Sequence, residues 1–146
     1  MSQQEDERYM RLALEEAQLA YESGEIPIGA VVVCDGRVIA RAHNEVERLS
    51  DPTAHAEVLA VTAATQYMGS KFLGDCCLYV TIEPCTMCAG ALHWARLGEV
   101  IYGASEEKFG YQRYAPEIFP RATKVRGGVL AEEARALMQA FFRARR

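Results

Sequence analysis

No stretch of this 146-residue chain is apolar and uncharged for long enough to cross a bilayer. The opening segment, Met1-Ser2-Gln3-Gln4-Glu5-Asp6, is polar and acidic and lacks the apolar run of a secretion signal. A disulfide framework is also missing. The cysteines number five, an odd count, in a chain long enough to bury a sizeable core without covalent staples. These absences point to one domain, residues 1–146, in a reducing cytoplasm with no membrane partner. Positive charge is not in excess either. Lys and Arg total 16 against 20 Asp and Glu, and the formal net charge of −4 argues against indiscriminate nucleic-acid binding. Repeats, low-complexity segments and linkers are absent.

Against this background one constellation stands out. His55-Ala56-Glu57 is followed about thirty residues later by Pro84-Cys85-Thr86-Met87-Cys88. The pattern H-x-E with P-C-x-x-C is an established signature of zinc-dependent base deaminases. Its chemistry is readable residue by residue. A catalytic zinc takes three protein ligands and keeps one position open for water. His55, Cys85 and Cys88 supply the three, and the two thiolates balance the charge of the metal. Glu57 is not needed as a ligand and is close enough in the chain to carry protons as the catalytic acid and base. A lone C-x-x-C also suits a structural zinc half-site or a redox pair, but neither accounts for His55 and Glu57. His43 and His93 lack ligand spacing and read as structural or exposed.

The local pattern places these groups at helix starts. Asp51-Pro52-Thr53 reads as a helix beginning, with Asp51 as N-cap and Pro52 in the first helical position. Residues at i and i+2 do not share a helix face. Side chains of a first turn tilt towards the N-terminus, however, so His55 and Glu57 are expected to reach one point beyond the helix end. Pro84 follows the strand-like Leu78 to Ile82 and introduces a helix on which Cys85 and Cys88, at i and i+3, face the same way. The positive end of the helix dipole favours thiolate there.

Elsewhere a helix is expected from about Asp6 to Glu22, with Met10, Ala13, Leu14, Ala17, Ala20 and Tyr21 on its buried stripe. Ile28 to Cys34 is an apolar run that predicts a strand covered on both faces. Asp35-Gly36 predicts a hairpin turn to a strand over 37–42. Further strands are expected at Val100 to Tyr102 and near Lys124 to Leu130. A last helix begins at Ala131, with Ala134, Leu137, Met138 and Phe141 buried. Cys34, Cys76 and Cys77 read as small buried strand residues. The fold class is α/β, a five-stranded sheet between helical layers.

On Ile26 to Val33, Asp51 to Glu57 and Glu83 to Ala91, the chain resembles the cytidine-deaminase superfamily. Within it the chain is most similar to the bacterial tRNA-specific adenosine deaminases, over nearly its whole length. The resemblance implies a three-layer α/β/α fold with a central mixed five-stranded sheet, one Zn2+ per subunit and a homodimer. It also implies hydrolytic conversion of adenosine to inosine at the wobble position of a tRNA anticodon loop, with release of ammonia. Asn44 matches a position that contacts the target base, and its amide both donates and accepts. The tail, Phe141-Phe142-Arg143 with Arg145 and Arg146, is similar as well. With Lys108, these arginines are the expected RNA contacts. Trp94 is expected in the core or at a dimer contact. The chain departs from the tRNA enzymes after Ala104. Glu106 stands where they have an aspartate, and Phe109, Tyr111 and Tyr114 fall in a segment that is small-residue-rich in them. Those aromatics suit base stacking or core packing. A free nucleobase or nucleoside, of guanine or cytosine type, is the alternative substrate, and a zinc-stabilised binding module without turnover is the alternative class.

Overall fold

The computed structural model describes residues 2–145. The first helix, α1 (Gln3–Glu22), starts three residues before its expected position. Ser2 closes a capping box with Glu5, each satisfying a backbone N–H of the other. Tyr9, Met10, Ala13, Ala17 and Ala20 form its buried face, while Leu14 and Tyr21 are half-buried. The strands β1 (Gly29–Cys34) and β2 (Arg37–His43) follow. They are joined through Asp35 and Gly36 at φ 54° and 73°, the left-handed pair that a tight hairpin turn requires. After the short helix α2 (Val46–Leu49) come α3 (Ala56–Met68), β3 (Cys76–Ile82), α4 (Thr86–Trp94) and β4 (Glu99–Ala104). The one-turn helix α5 (Tyr111–Tyr114), β5 (Lys124–Arg126) and α6 (Ala131–Ala144) complete the described residues.

Two expectations need correction. The α3 helix does not start at Asp51. The Asp51 carboxylate accepts from the N–H and hydroxyl of Thr53 at 2.8 and 2.7 Å, closing a local turn, and His55 is the N-cap. The last strand is also shorter than Lys124 to Leu130. Gly127 and Gly128 end it, Gly128 at φ 96°, although Gly128 N–H still donates to the Gly103 carbonyl and keeps the chain beside β4.

The sheet is mixed, in the order β2-β1-β3-β4-β5. Strand β1 is antiparallel to both neighbours, whereas β3, β4 and β5 run parallel. All strands except β1 therefore point the same way, and the C-terminal ends of β2, β3 and β4 emerge on one edge. In α/β sheets that edge is where ligands bind.

Alternation along the buried strands builds two cores. Ala30, Val32, Leu78, Val80 and Val100 face α3 and α4, where they meet Ala60, Ala64 and Leu92. Val31, Val33, Tyr79 and Ile101 face α1 and meet Tyr9, Met10 and Ala13. α6 shares the α1 side and packs Ala134 against Ile82 and Ala104. The result is the expected α/β/α three-layer arrangement. One polar network crosses it. Buried Asp6 accepts from the Tyr79 hydroxyl at 2.8 Å and from Arg126 at 2.9 Å, and Arg126 Nε donates to Glu99 at 2.7 Å. Cys34 and Cys76 are buried opposite one another on β1 and β3, and Cys77 is half-buried.

Candidate active site

Two helix N-termini meet at the edge where the strands end. His55 is the N-cap of α3, Cys85 is the N-cap of α4, and Cys88 lies one turn into α4. His55 Nδ1 lies 3.7 Å from Cys85 Sγ and 3.4 Å from Cys88 Sγ, and the three ligand atoms lie within 4.8 Å of one another. Zinc bonds of about 2.3 Å to sulfur and 2.0–2.1 Å to nitrogen, at tetrahedral angles, separate adjacent N and S ligands by about 3.5 Å. The group therefore fits a zinc ion in both spacing and donor type.

Glu57 is outside this ligand group but in contact with it. Its side chain is buried, and its carboxylate is in hydrogen-bonding reach of the Cys88 thiol. Burial pushes the Glu57 carboxyl up to about 7. The hydrogen bond from Cys88 brings the Cys85 thiol down to about 4, and His55 adds to the effect. Cys88 is pushed up, by that same bond and by burial. The His55 imidazole is raised chiefly by its contact with Cys85.

A cavity of about 760 Å³ opens over His55, Glu57 and Cys85. Asn44, directly after β2, lines it and is itself buried. Its Oδ1 accepts from Ala56 N–H at 2.7 Å. That donor fixes the orientation of the amide, with Oδ1 on the Ala56 side. Asn44 thus clamps the backbone between His55 and Glu57, a role that the sequence reading did not assign.

Other positioning groups were missed as well. Buried Glu25 accepts from the N–H groups of Glu47 and Arg48 at 3.0 and 2.9 Å, holding α2 at the cavity rim. Buried Glu83 accepts from Glu106 N–H at 3.0 Å and Gln112 N–H at 3.2 Å. Gly110 pairs with Cys85 in an isolated bridge, and Tyr111 N–H donates to the Pro84 carbonyl at 2.9 Å. The segment after Ala104 is therefore tied to the cysteine loop. The only sequence signal for Glu83 was its place directly before Pro84-Cys85.

The expected RNA contacts fall into three situations. Lys108 and Arg143 are exposed. Arg145 lines the cavity, donates to the Gly24 carbonyl at 2.9 Å and stacks over the Phe141 ring at 4.3 Å. Arg146 lies outside the described residues. Phe109 and Tyr114 are exposed, which excludes core packing for them, and Trp94 is 72% exposed. His93 donates to the Ile118 carbonyl and His43 contacts Glu16, both structural roles.

The model of the MafB19-like deaminases matches residues 4–146. The tRNA-specific adenosine deaminase of Streptococcus pyogenes serotype M18 is 43% identical, over 97% of this chain and 92% of its own. The chain belongs to the tRNA-specific adenosine deaminase family. A solved structure from a study of A-to-I editing by tRNA:A34 deaminases at the wobble position superposes on this family member with a TM-score of 0.84. It is 41% identical and covers 89% of this chain and 98% of that one. Guanine deaminase from Bacillus subtilis is also 41% identical, over 77% of this chain and 75% of its own, at a TM-score of 0.67. No described helix of this deaminase-family chain is long and apolar enough to cross a membrane.

Proposed function

We propose that the chain, as one domain, is a zinc-dependent hydrolase converting adenosine to inosine at the wobble position of a tRNA anticodon, in the cytoplasm. The observation that carries this reading is the convergence of His55, Cys85 and Cys88 beside a buried carboxylate at the floor of an open cavity. The family supports the RNA substrate. His55 Nδ1 and the sulfurs of Cys85 and Cys88 hold one Zn2+ per subunit. Zinc there supplies the Lewis acidity that makes water a nucleophile near neutral pH.

The chain's own residues do the rest. Asn44 Nδ2 meets the purine, while its Oδ1 keeps Ala56, and with it His55 and Glu57, in place. Glu57 takes a proton from the attacking water and delivers it to the ring nitrogen beside C6; it then takes the proton of the new C6 hydroxyl and passes it to the amino group, which leaves as ammonia. Water and adenosine then give inosine and ammonia. The apolar walls, among them Ile26, Met138 and Phe141, exclude bulk water from that transfer. Lys108, Arg143 and Arg145 face the RNA backbone, where each phosphate contact adds salt dependence.

We also propose a homodimer. Trp94 is 72% exposed and Phe72 49%, lining a groove between α3 and α4. An exposed apolar face of this kind suits a second copy of the chain.

Inosine formation by the zinc-loaded protein on an anticodon stem-loop with adenosine at the wobble position tests the reading, beside free guanine, cytosine and adenosine. Glu57→Gln should keep zinc and lose turnover. Turnover of a free base alone would move the chain to the second reading, a nucleobase deaminase, which the 41% identity to guanine deaminase favours.

A further inference from the structure

The cavity has a neighbour. A side groove of about 410 Å³ shares Phe109, Phe142, Glu106 and Met138 with it and adds Lys108 and Arg135. Phe109 and Phe142 therefore stand as a ridge, with Glu57 and His55 on one side and two cationic side chains on the other. Both rings are open to solvent, Phe109 at 63% and Phe142 at 47%. A single exposed apolar residue is ordinary. Phe109 differs in how firmly its backbone is held. The Glu83 carboxylate grips the segment on both sides of it, at Glu106 and Gln112, and the next residue, Gly110, pairs with Cys85. A Cβ at Gly110 would lie 2.3 Å from a Glu83 carboxylate oxygen, so the segment sits as close as a glycine allows. An exposed ring on a backbone fixed to the cysteine loop is preorganised for a planar partner, with little ordering left to do on contact.

We propose that Phe109 is a specificity-determining residue, the stacking platform for the nucleotide adjacent to the target adenosine. That nucleotide occupies the side groove, with its phosphate between Lys108 and Arg135. Splayed bases of a single-stranded loop stack on aromatic side chains in this way. Arg135 also pairs with Glu132 on α6, which holds its guanidinium at the groove while leaving donors free. The inference rests on the RNA reading above and names the residue that selects within it.

The test compares wild type with Phe109→Ala, Phe109→Leu and Phe109→Tyr, all zinc-loaded. The substrate is an anticodon stem-loop carrying the fluorescent base 2-aminopurine beside the target adenosine. Loss of base–aromatic stacking should raise KM about 5- to 150-fold in the Ala and Leu variants, with kcat changing less. Quenching of the reporter base should be lost with them, and both readouts should return in Phe109→Tyr. Zinc content and thermal midpoint serve as the folding check. Lys108→Ala should lower the slope of log K against log salt by about 0.7, one phosphate contact on a single strand. Wild-type KM and quenching in Phe109→Leu, with inosine formation by wild type intact, would overturn the stacking role alone. No inosine from wild type would overturn the RNA reading and this inference with it.

Discussion

Replacing Asn44 with alanine should damage the site from behind, before any base is bound. The substitution deletes the acceptor 2.7 Å from Ala56 N–H and leaves a buried donor unsatisfied at the start of α3. A buried backbone N–H without a partner costs about 1–3 kcal/mol. For a chain of this size each kcal/mol moves the thermal midpoint by roughly 2–4 °C, so a drop of about 2–12 °C is expected. Ala56 lies between His55 and Glu57, and support of this kind behind a metal ligand is worth about 10- to 100-fold in metal affinity. Asn44→Asp separates the two roles of the side chain. It keeps an acceptor at the positive end of α3 but lacks the Nδ2 donor. The Asp variant should therefore hold its metal and most of its midpoint while losing kcat/KM, whereas the Ala variant loses all three. Thermal unfolding, metal stoichiometry under graded chelation and inosine formation measure these outcomes. An Ala variant with wild-type midpoint and metal affinity would refute the clamp.

Three further predictions concern the frame around the site. Arg126→Ala strands the buried Asp6 carboxylate with Tyr79 as its partner and should cost about 2–3 kcal/mol at neutral pH, read by chemical denaturation. Burial pushes Asp6 up, but the bonds from Arg126 and Tyr79 outweigh it and hold the carboxyl below its ordinary 3.8. That stabilisation is therefore complete above about pH 4 and fades as the pH falls further, so the gap between wild type and Arg126→Ala should narrow in acid. Gly110→Ala places a Cβ 2.3 Å from the Glu106 carbonyl as well as from Glu83, and should lower stability by about 1–3 kcal/mol. It should also weaken RNA turnover more than metal binding, measured by KM and zinc content. Trp94→Asp should shift sedimentation from dimer to monomer; a wild-type species that is monomeric at micromolar concentration would remove the proposed interface.

Most of the architecture was legible because it depends on short-range pattern. The apolar run of Ile28 to Cys34, the Asp35-Gly36 turn and the α1 stripe each reflect neighbours a few residues apart. The convergence of His55, Cys85 and Cys88 was legible because two short spacings carry it. What escaped depends on bonds between distant positions. Asn44 reaches across twelve residues to Ala56, and Glu83 across more than twenty to Glu106. Neither spacing has a local signature. Asp51 misled for the opposite reason. Its nearest donor, Thr53, was a better partner than the helix it was expected to cap. The exposure of Phe109 and Tyr114 was also unreadable, since aromatic residues in a loop look alike whether buried or not.

Among the described residues, Glu83 grips the neighbouring segment through main-chain N–H groups, those of Glu106 and Gln112. A main-chain N–H is the same for every residue type but proline, so the latch is blind to the side chains at 107, 108 and 109. Those positions form a cassette that can be rewritten without moving Cys85. Substitution there can then change what the mouth of the cavity prefers while His55, Cys85 and Cys88 stay put.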